Sequence, residues 1–330
     1  MNRTLTRIRI RVGSSLIGVI CAAAIVAESA QAQTFPSRPI EFIAQSSAGG
    51  GTDLFSRSIT DLLTKQKSFS QPLINANRVG GGGVVAYNFI KTKRGDPHFV
   101  MAIATGGVLN SASRPELELP LDIFTPLGMF ATDPQVVAVR AESQFKTFKE
   151  LVEAAKREPG TVSVGITGPT GTARLAFYLI ERVTGAKFKY VSFKGGGEAV
   201  LATLGGHVET TGENMSEMLP LVESKKMRVL AVTGERRFVQ APDIPTAKEL
   251  GYNVIAATGR GFSMPAAVPK EAAAQMEAAL KRVYDSPAYK EYSHRNMFDN
   301  GYLDSAEFGK YLATNRVVHE EFLRALGVVK

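Results

Sequence analysis

The stretch Pro39-Ile40-Glu41-Phe42-Ile43-Ala44-Gln45, followed closely by Ala48-Gly49-Gly50-Gly51-Thr52-Asp53, decides how the chain is read. Its first part is a short apolar run with the pattern of a buried parallel strand. Beyond the glycines, Phe55, Ile59, Leu62 and Leu63 fall at i, i+4, i+7 and i+8, one face of a helix. The spacing predicts a strand, a glycine turn and a helix start, with Thr52 as N-cap and Asp53 in the first turn. Unpaired N–H groups at such a tip suit a small anion such as a carboxylate. A glycine turn before a helix also serves as plain connection. No Gly-Lys-Ser/Thr follows, so this is not a P-loop, and the spacing is not the GxGxxG dinucleotide pattern.

The N-terminus carries a different signal. Arg3, Arg7, Arg9 and Arg11 precede a largely apolar run at 12–27, and Ala30-Gln31-Ala32 is a small-x-small site. This predicts a secretory signal peptide over residues 1–32, cleaved after Ala32, and a periplasmic mature protein. The apolar run is short for a membrane span. Removing it takes away four arginines and Glu28, so the net charge falls from +8 to +5. It also removes Cys21, the only cysteine, leaving no disulfide and no cysteine metal site. The remaining length accommodates two cores. Lys and Arg are scattered without a cluster, so no nucleic-acid partner is expected. No second stretch is long and apolar enough to span a bilayer.

Taken in order, residues 39–107 read as strand, helix, strand, helix, strand, a parallel α/β unit. The second strand is Leu73-Ile74-Asn75, and the third runs from His98 to end at Thr105-Gly106-Gly107. The run Gly80-Gly81-Gly82-Gly83 suits either a ligand wrap or a flexible connection. Residues 113–130 read as irregular. A second unit starts at Gln135-Val136-Val137-Ala138-Val139 and repeats the opening design. There Val162-Ser163-Val164-Gly165-Ile166 leads through Thr167-Gly168-Pro169-Thr170-Gly171-Thr172 into a helix with Leu175, Ala176, Leu179 and Val183 on one face. A short strand is expected at His207-Val208-Glu209, and Arg228-Val229-Leu230-Ala231-Val232 is expected to return the chain to the first unit. Residues 242–251 read as a short helix, 256–262 as a connection, and the last 60 or so residues as mainly helical. This gives domain 1 as 33–131 plus 233–330, with domain 2, residues 132–232, inserted. Two helix N-termini offered from two domains suggest one anion shared in a cleft.

These pieces, in this order, resemble the Bug-type extracytoplasmic solute receptors of tripartite tricarboxylate transporters. The carriers are Pro36-Ser37-Arg38-Pro39-Ile40, Gly50-Gly51-Thr52-Asp53, Asn77-Arg78-Val79-Gly80-Gly81-Gly82, Phe193-Lys194-Gly195-Gly196, Leu204-Gly205-Gly206-His207-Val208-Glu209, Arg228 to Thr233, and Pro242-Asp243-Ile244-Pro245-Thr246. The resemblance implies a two-domain, type II periplasmic-binding-protein-like α/β fold, with two crossing strands as hinge and a cleft that closes on the solute. It also implies that backbone N–H groups and small hydroxyls hold a ligand carboxylate. Carried onto this chain, these are Ser46, Ser47, Ala48, Gly49 and Thr52, beside Gly50 and Asp53 of the opening turn. From the second domain come Thr167, Gly168, Thr170, Gly171 and Thr172, and Thr105, Gly106 and Asn214 line the same cleft. The chain departs from many members in having Ser46-Ser47-Ala48 before the glycines, Phe193, Glu209, Glu213-Asn214 and Ala173-Arg174-Leu175.

Arg260 suits either a second ligand carboxylate or a structural role. Glu213 suits either a ligand amine or hydroxyl, or a surface helix start. The implied partners are a small organic acid (a di- or tricarboxylate or an aromatic acid) and membrane permease subunits. A monomer without cofactor or metal is expected. A sensor that signals to a membrane kinase would share every binding feature. For an enzyme, the four histidines stand at no metal spacing, and GxSxG, HExxH and a cysteine nucleophile are missing.

Overall fold

The structure, a computed structural model, describes residues 35–329. The expected signal peptide, with Cys21, lies outside the described residues. In chain order the elements are β1 (Ile40–Ala44), α1 (Gly51–Lys65), β2 (Leu73–Asn77), α2 (Val84–Lys91), β3 (Phe99–Ala104), α3 (Thr105–Ala112), β4 (Phe124–Pro134), β5 (Val136–Arg140), α4 (Phe148–Arg157), β6 (Ser163–Thr167), α5 (Thr172–Thr184), β7 (Lys189–Phe193), α6 (Gly196–Leu204), β8 (Thr210–Thr211), α7 (Met215–Glu223), β9 (Met227–Val232), β10 (Ala257–Pro265), α8 (Lys270–Asp285), α9 (Pro287–Arg295), β11 (Asp299–Leu303) and α10 (Ser305–Ala325).

The strands form two mixed sheets, ordered β11-β4-β10-β3-β1-β2 and β7-β6-β8-β5-β9. In the first, β1 pairs in parallel with β2 and β3, as the strand–helix–strand reading requires. The pleat sends alternate side chains to opposite faces. Phe42, Val100 and Ala102 enter one core, with Phe55 and Phe262. Ile43, Met101 and Ile103 enter the other, with Tyr87 and Phe308. The second sheet divides the same way, with Val137, Val139, Val164 and Ile166 on one face and Val136, Ala138 and Val232 on the other. Each sheet is therefore covered on both faces, the condition for parallel strands to be apolar throughout.

The chain leaves the first sheet at Pro134-Gln135-Val136 and returns at Ala257. These crossings are tied together at one point. Thr233 donates its N–H to the Gln135 carbonyl at 2.9 Å, and the Ala256 N–H donates to the Thr233 carbonyl at 2.8 Å. The buried Thr233 hydroxyl lies 2.9 Å from the Gln135 carbonyl and 2.8 Å from that of Ala256. A further link comes from the C-terminal helix, whose Phe322 and Leu323 pack against Leu175 of α5.

Several elements differ from the sequence expectation. Strand β9 does not return the chain; it stays as an edge of the second sheet, and β10 makes the return. Residues 256–262, expected as a connection, fall largely in β10, and the irregular 113–130 segment ends in β4. Strand β10 reads ATGRGFSMP, without apolar alternation, and its register shifts at Arg260/Gly261 and Phe262/Ser263. A Cβ on Gly261 would stand 2.5 Å from the Gly128 carbonyl oxygen, so the glycine admits a close backbone approach. Pairing on both sides, with β3 and β4, overrides its weak propensity. The short strand forms at Thr210–Thr211 rather than at residues 207–209. Residues 242–251 form turns, with Thr246 bridged to Val232.

Phe262 holds β10 in the core: its ring stacks on Phe55 at 5.2 Å and meets Phe42 and Phe130 edge-on at 5.8 and 5.7 Å. Phe262→Ala is expected to lower the unfolding free energy by about 3–5 kcal/mol with an unchanged urea m-value. A loss below about 1 kcal/mol would show that this ring does not anchor the strand.

Candidate functional site

Between the two sheets lies a cavity of about 950 Å³, walled by the loops that follow β1, β3, β6 and β7. From the first sheet come Gln45, Ser46, Gly50, Gly51 and Thr52, with Asn110 and Arg114 from α3 and beyond. From the second come residues 167–173, Phe193, Lys194 and Gly195. Glu213, Asn214, Glu217 and Arg260 stand near the crossing point. The two sides touch. Asn110 donates its side-chain amide to the Thr170 carbonyl. A Cβ on Gly106 would lie 2.0 Å from the Thr172 hydroxyl, so α3 and the tip of α5 meet with no room to spare.

Of the expected contacts, Ser46, Gly50, Thr52, Thr167, Gly168, Thr170, Gly171, Thr172, Asn214 and Arg260 line this cavity. Ser47, Ala48, Gly49, Asp53, Thr105 and Gly106 are not part of its wall, and most of these have another task. The Asp53 carboxylate accepts from the Gly49 N–H at 3.0 Å, Asn77 at 2.8 Å and Arg57 at 2.9 Å. Burial opposes its ionisation, but the bonds from Arg57, Gly49 and Asn77 outweigh that and hold its carboxyl below the usual range. Asp53 thus pins the turn. Thr105 accepts the Gly259 N–H at 2.8 Å, tying α3 to β10.

The caps are also not those expected. Gly50 and Gly171 occupy the N-cap positions of α1 and α5, with Thr52 and Thr172 inside the first turns. Ser46 replaces the expected Thr52 cap, its hydroxyl accepting the Asp53 N–H at 3.1 Å. Glycine is needed here for space: a Cβ on Gly51 would lie 2.6 Å from both the Arg260 guanidinium and the Glu217 carboxylate. The run Gly80-Gly81-Gly82-Gly83 also lines the cavity, each with φ between 58° and 141°, conformations that only glycine takes readily.

Arg260 is almost fully buried and already paired. Its Nη2 lies 2.6 Å from Asp133 Oδ2 and 3.1 Å from Asn214 Oδ1, and its Nη1 is 3.4 Å from the Thr52 hydroxyl. Asp133 is completely buried, which raises its carboxyl even against the attraction of Arg260. The structural reading of Arg260 is the one its contacts match.

Two carboxylates occupy amides at the cleft, one of them that of Thr167, which the sequence reading assigned to a ligand. Glu217 Oε1 accepts the Gly51 N–H at 2.8 Å, the first donor of α1. Glu213 Oε1 accepts the Thr167 N–H at 2.6 Å. Burial, and then the charge of Glu217, push Glu213 up to about 8. Burial also raises Glu217, against Arg260. The first three N–H groups of α5, beginning at Thr172, have no acceptor within that helix. Glu217, Asp133, Gln135 and Asn110 carried no motif; the packing of α7 and α3 brings Glu217 and Asn110 here, and the crossing at the end of β4 brings Asp133 and Gln135.

A carboxyl raised on folding binds more protons folded than unfolded between its two pKa values. Stability from Glu213 is therefore present below the unfolded value of about 4.5 and lost as pH rises through about 8. Glu213→Gln is expected to gain in melting temperature over the native protein by several degrees more at pH 8 than at pH 5. Equal differences at the two pH values would show that Glu213 stays ionised throughout.

The whole arrangement has relatives. A family model described as tripartite tricarboxylate transporter family receptor matches residues 56–328. Protein BugT of Bordetella pertussis is 30% identical over 241 residues, covering 72% of this chain and 73% of that one. An R. palustris protein solved with adipate superposes with a TM-score of 0.83 at 21% identity, covering 89% of this chain and 98% of that one. MatC from Rhodopseudomonas palustris with bound malate gives a TM-score of 0.78 at 22% identity, covering 87% and 99%. The fold is that of the two-domain periplasmic binding proteins. With the family model spanning nearly all of the described residues, the chain belongs to the tripartite tricarboxylate transporter family of receptors.

Proposed function

We propose that the protein is an exported receptor that encloses a small organic carboxylate between its two sheets and presents it to the membrane subunits of a tripartite transporter. The observation that carries this reading is the cavity itself, walled from both sides by strand-end loops and helix N-termini. Malate and adipate in two structural neighbours, both small dicarboxylates, agree with it. No described helix is long and apolar enough to cross a membrane, and delivery then falls to partner subunits.

The energetics are adequate. A charge-assisted N–H···O bond contributes roughly 1.5–3 kcal/mol, and a helix terminus adds about 0.3–2 kcal/mol. Micromolar binding requires about 8 kcal/mol. Three or four such bonds at the α5 tip and Thr170 supply part of that, and burial of the ligand body against Phe193 and the glycine run supplies more. A solute touching both sides favours the closed arrangement.

A thermal-shift screen of organic acids against the periplasmic chain is expected to give a shift of several degrees with at least one small carboxylate and none with neutral sugars. Shifts with sugars alone would overturn the reading. Closure has its own test. Gly106→Ala puts a methyl into the Thr172 hydroxyl and is expected to weaken that acid at least tenfold without lowering the melting temperature of the free protein. Adding Thr172→Ala, which removes the hydroxyl, is expected to recover most of the loss relative to Thr172→Ala alone. An unchanged affinity in Gly106→Ala would mean that binding does not need this contact.

A further inference from the structure

The cavity wall is acidic where a receptor for a simple carboxylate should not be. Glu213 and Glu217 converge there: a Cβ on Gly196 would stand 1.6 Å from Glu217 Oε2 and 3.0 Å from Glu213 Oε2, which places the two oxygens side by side. Arg260, the cation beside them, is held by Asp133 through two bonds, at 2.6 and 3.2 Å, so its one charge is shared with both glutamates and Asp133. Two buried carboxyl groups facing each other with one shared and already engaged guanidinium are costly to ionise together, and a ligand cation between them would let both do so.

Apart from the Thr167 hydroxyl, the unpaired polar atoms of the wall are acceptors. Glu217 Oε2 is buried without a hydrogen-bond partner among the described residues. So are the side-chain oxygens of Asn110 and Gln135, whose residues are 6% and 1% exposed and both line the cavity. The orientation of Asn110 follows from its bond, because its Nδ2 faces the Thr170 carbonyl and its oxygen must be the acceptor. Burying an acceptor without a donor is costly, so a wall with this many acceptors is complementary to a ligand that brings donors. The other basic side chains on the wall, Arg114 and Lys194, belong to its less buried part.

Building on the organic-acid reading above, we infer that the solute also bears a protonated amine, and that Glu213 and Glu217 receive the ammonium while its carboxylate lies toward the α5 tip. An ammonium offers three donors and one positive charge, matching both the acceptors and the charge that the two carboxyl groups need in order to ionise.

The test is calorimetry of matched pairs that differ only in the amine: aspartate against succinate, glutamate against glutarate, and phenylalanine against 3-phenylpropionate. In at least one pair the native protein is expected to bind the aminated member at least tenfold more tightly. In Glu213→Gln/Glu217→Gln that preference is expected to fall to threefold or less, mainly through lost affinity for the aminated member. Far-UV circular dichroism and a melting curve establish that the variant is folded. If it does not fold, Glu217→Gln alone is read the same way. Unaminated acids binding as well as or better than their aminated partners would overturn this inference and leave the carboxylate-receptor reading intact. An aminated preference that survives both substitutions would also overturn it. Binding of none of the six would count against both.

Discussion

The buried pair of Arg260 and Asp133 sits where the two halves of the molecule join, and the geometry of the cleft depends on it. Arg260 comes from β10 and Asp133 from β4, neighbouring strands of the first sheet. Asn214 and Ser216, at the start of α7 on the second sheet, bond to the same pair, Ser216 to Asp133 Oδ2 at 2.9 Å. Thr52 reaches it from α1. Burying two charges is costly even when they attract each other. The Ser216 hydroxyl on Asp133 Oδ2 and the Asn214 amide oxygen on Arg260 offset part of that cost, while Asp133 Oδ1 has no hydrogen-bond partner among the described residues. The pair therefore contributes placement more than stability. It sets α7 against α1, and through α7 it brings Glu217 to the Gly51 amide.

Around that point the chain crosses twice, and small residues let the halves approach. Thr233 joins both crossings with one hydroxyl. Farther out, Gly106 against Thr172 and Gly195 against Ser47 are contacts that a methyl group would obstruct. The glycines along the wall thus serve two ends. Those with positive φ shape the loops; of those with ordinary backbone angles, Gly51 and Gly106 leave space for an atom from the opposite side, and Gly196 leaves space for the Glu213 and Glu217 carboxyls.

Much of this was readable in advance. The apolar run at residues 40–44 and the i, i+4, i+7, i+8 face of Phe55, Ile59, Leu62 and Leu63 are local signals, and both formed as read. The second occurrence of that design, at Thr167-Gly168-Pro169-Thr170-Gly171-Thr172, ended in a helix tip at the cavity. Strand β10 was not readable, because a segment with Ala257-Thr258-Gly259-Arg260-Gly261 becomes a strand only when β3 and β4 supply its hydrogen bonds. Arg260 illustrates the same limit: nothing within its own loop indicates that Asp133, 127 positions earlier, neutralises it.

The sequence by itself determined the class of fold, the repeated strand–turn–helix units and the loops that meet at the cleft, because these follow from apolar periodicity and glycine placement over a few neighbouring residues. The tertiary structure alone decided which amides remain open and which are filled. Glu213 and Glu217 reach their partners across 46 and 166 positions of chain, and a carboxylate's effect on a binding site depends on its distance and burial rather than on its place in the sequence.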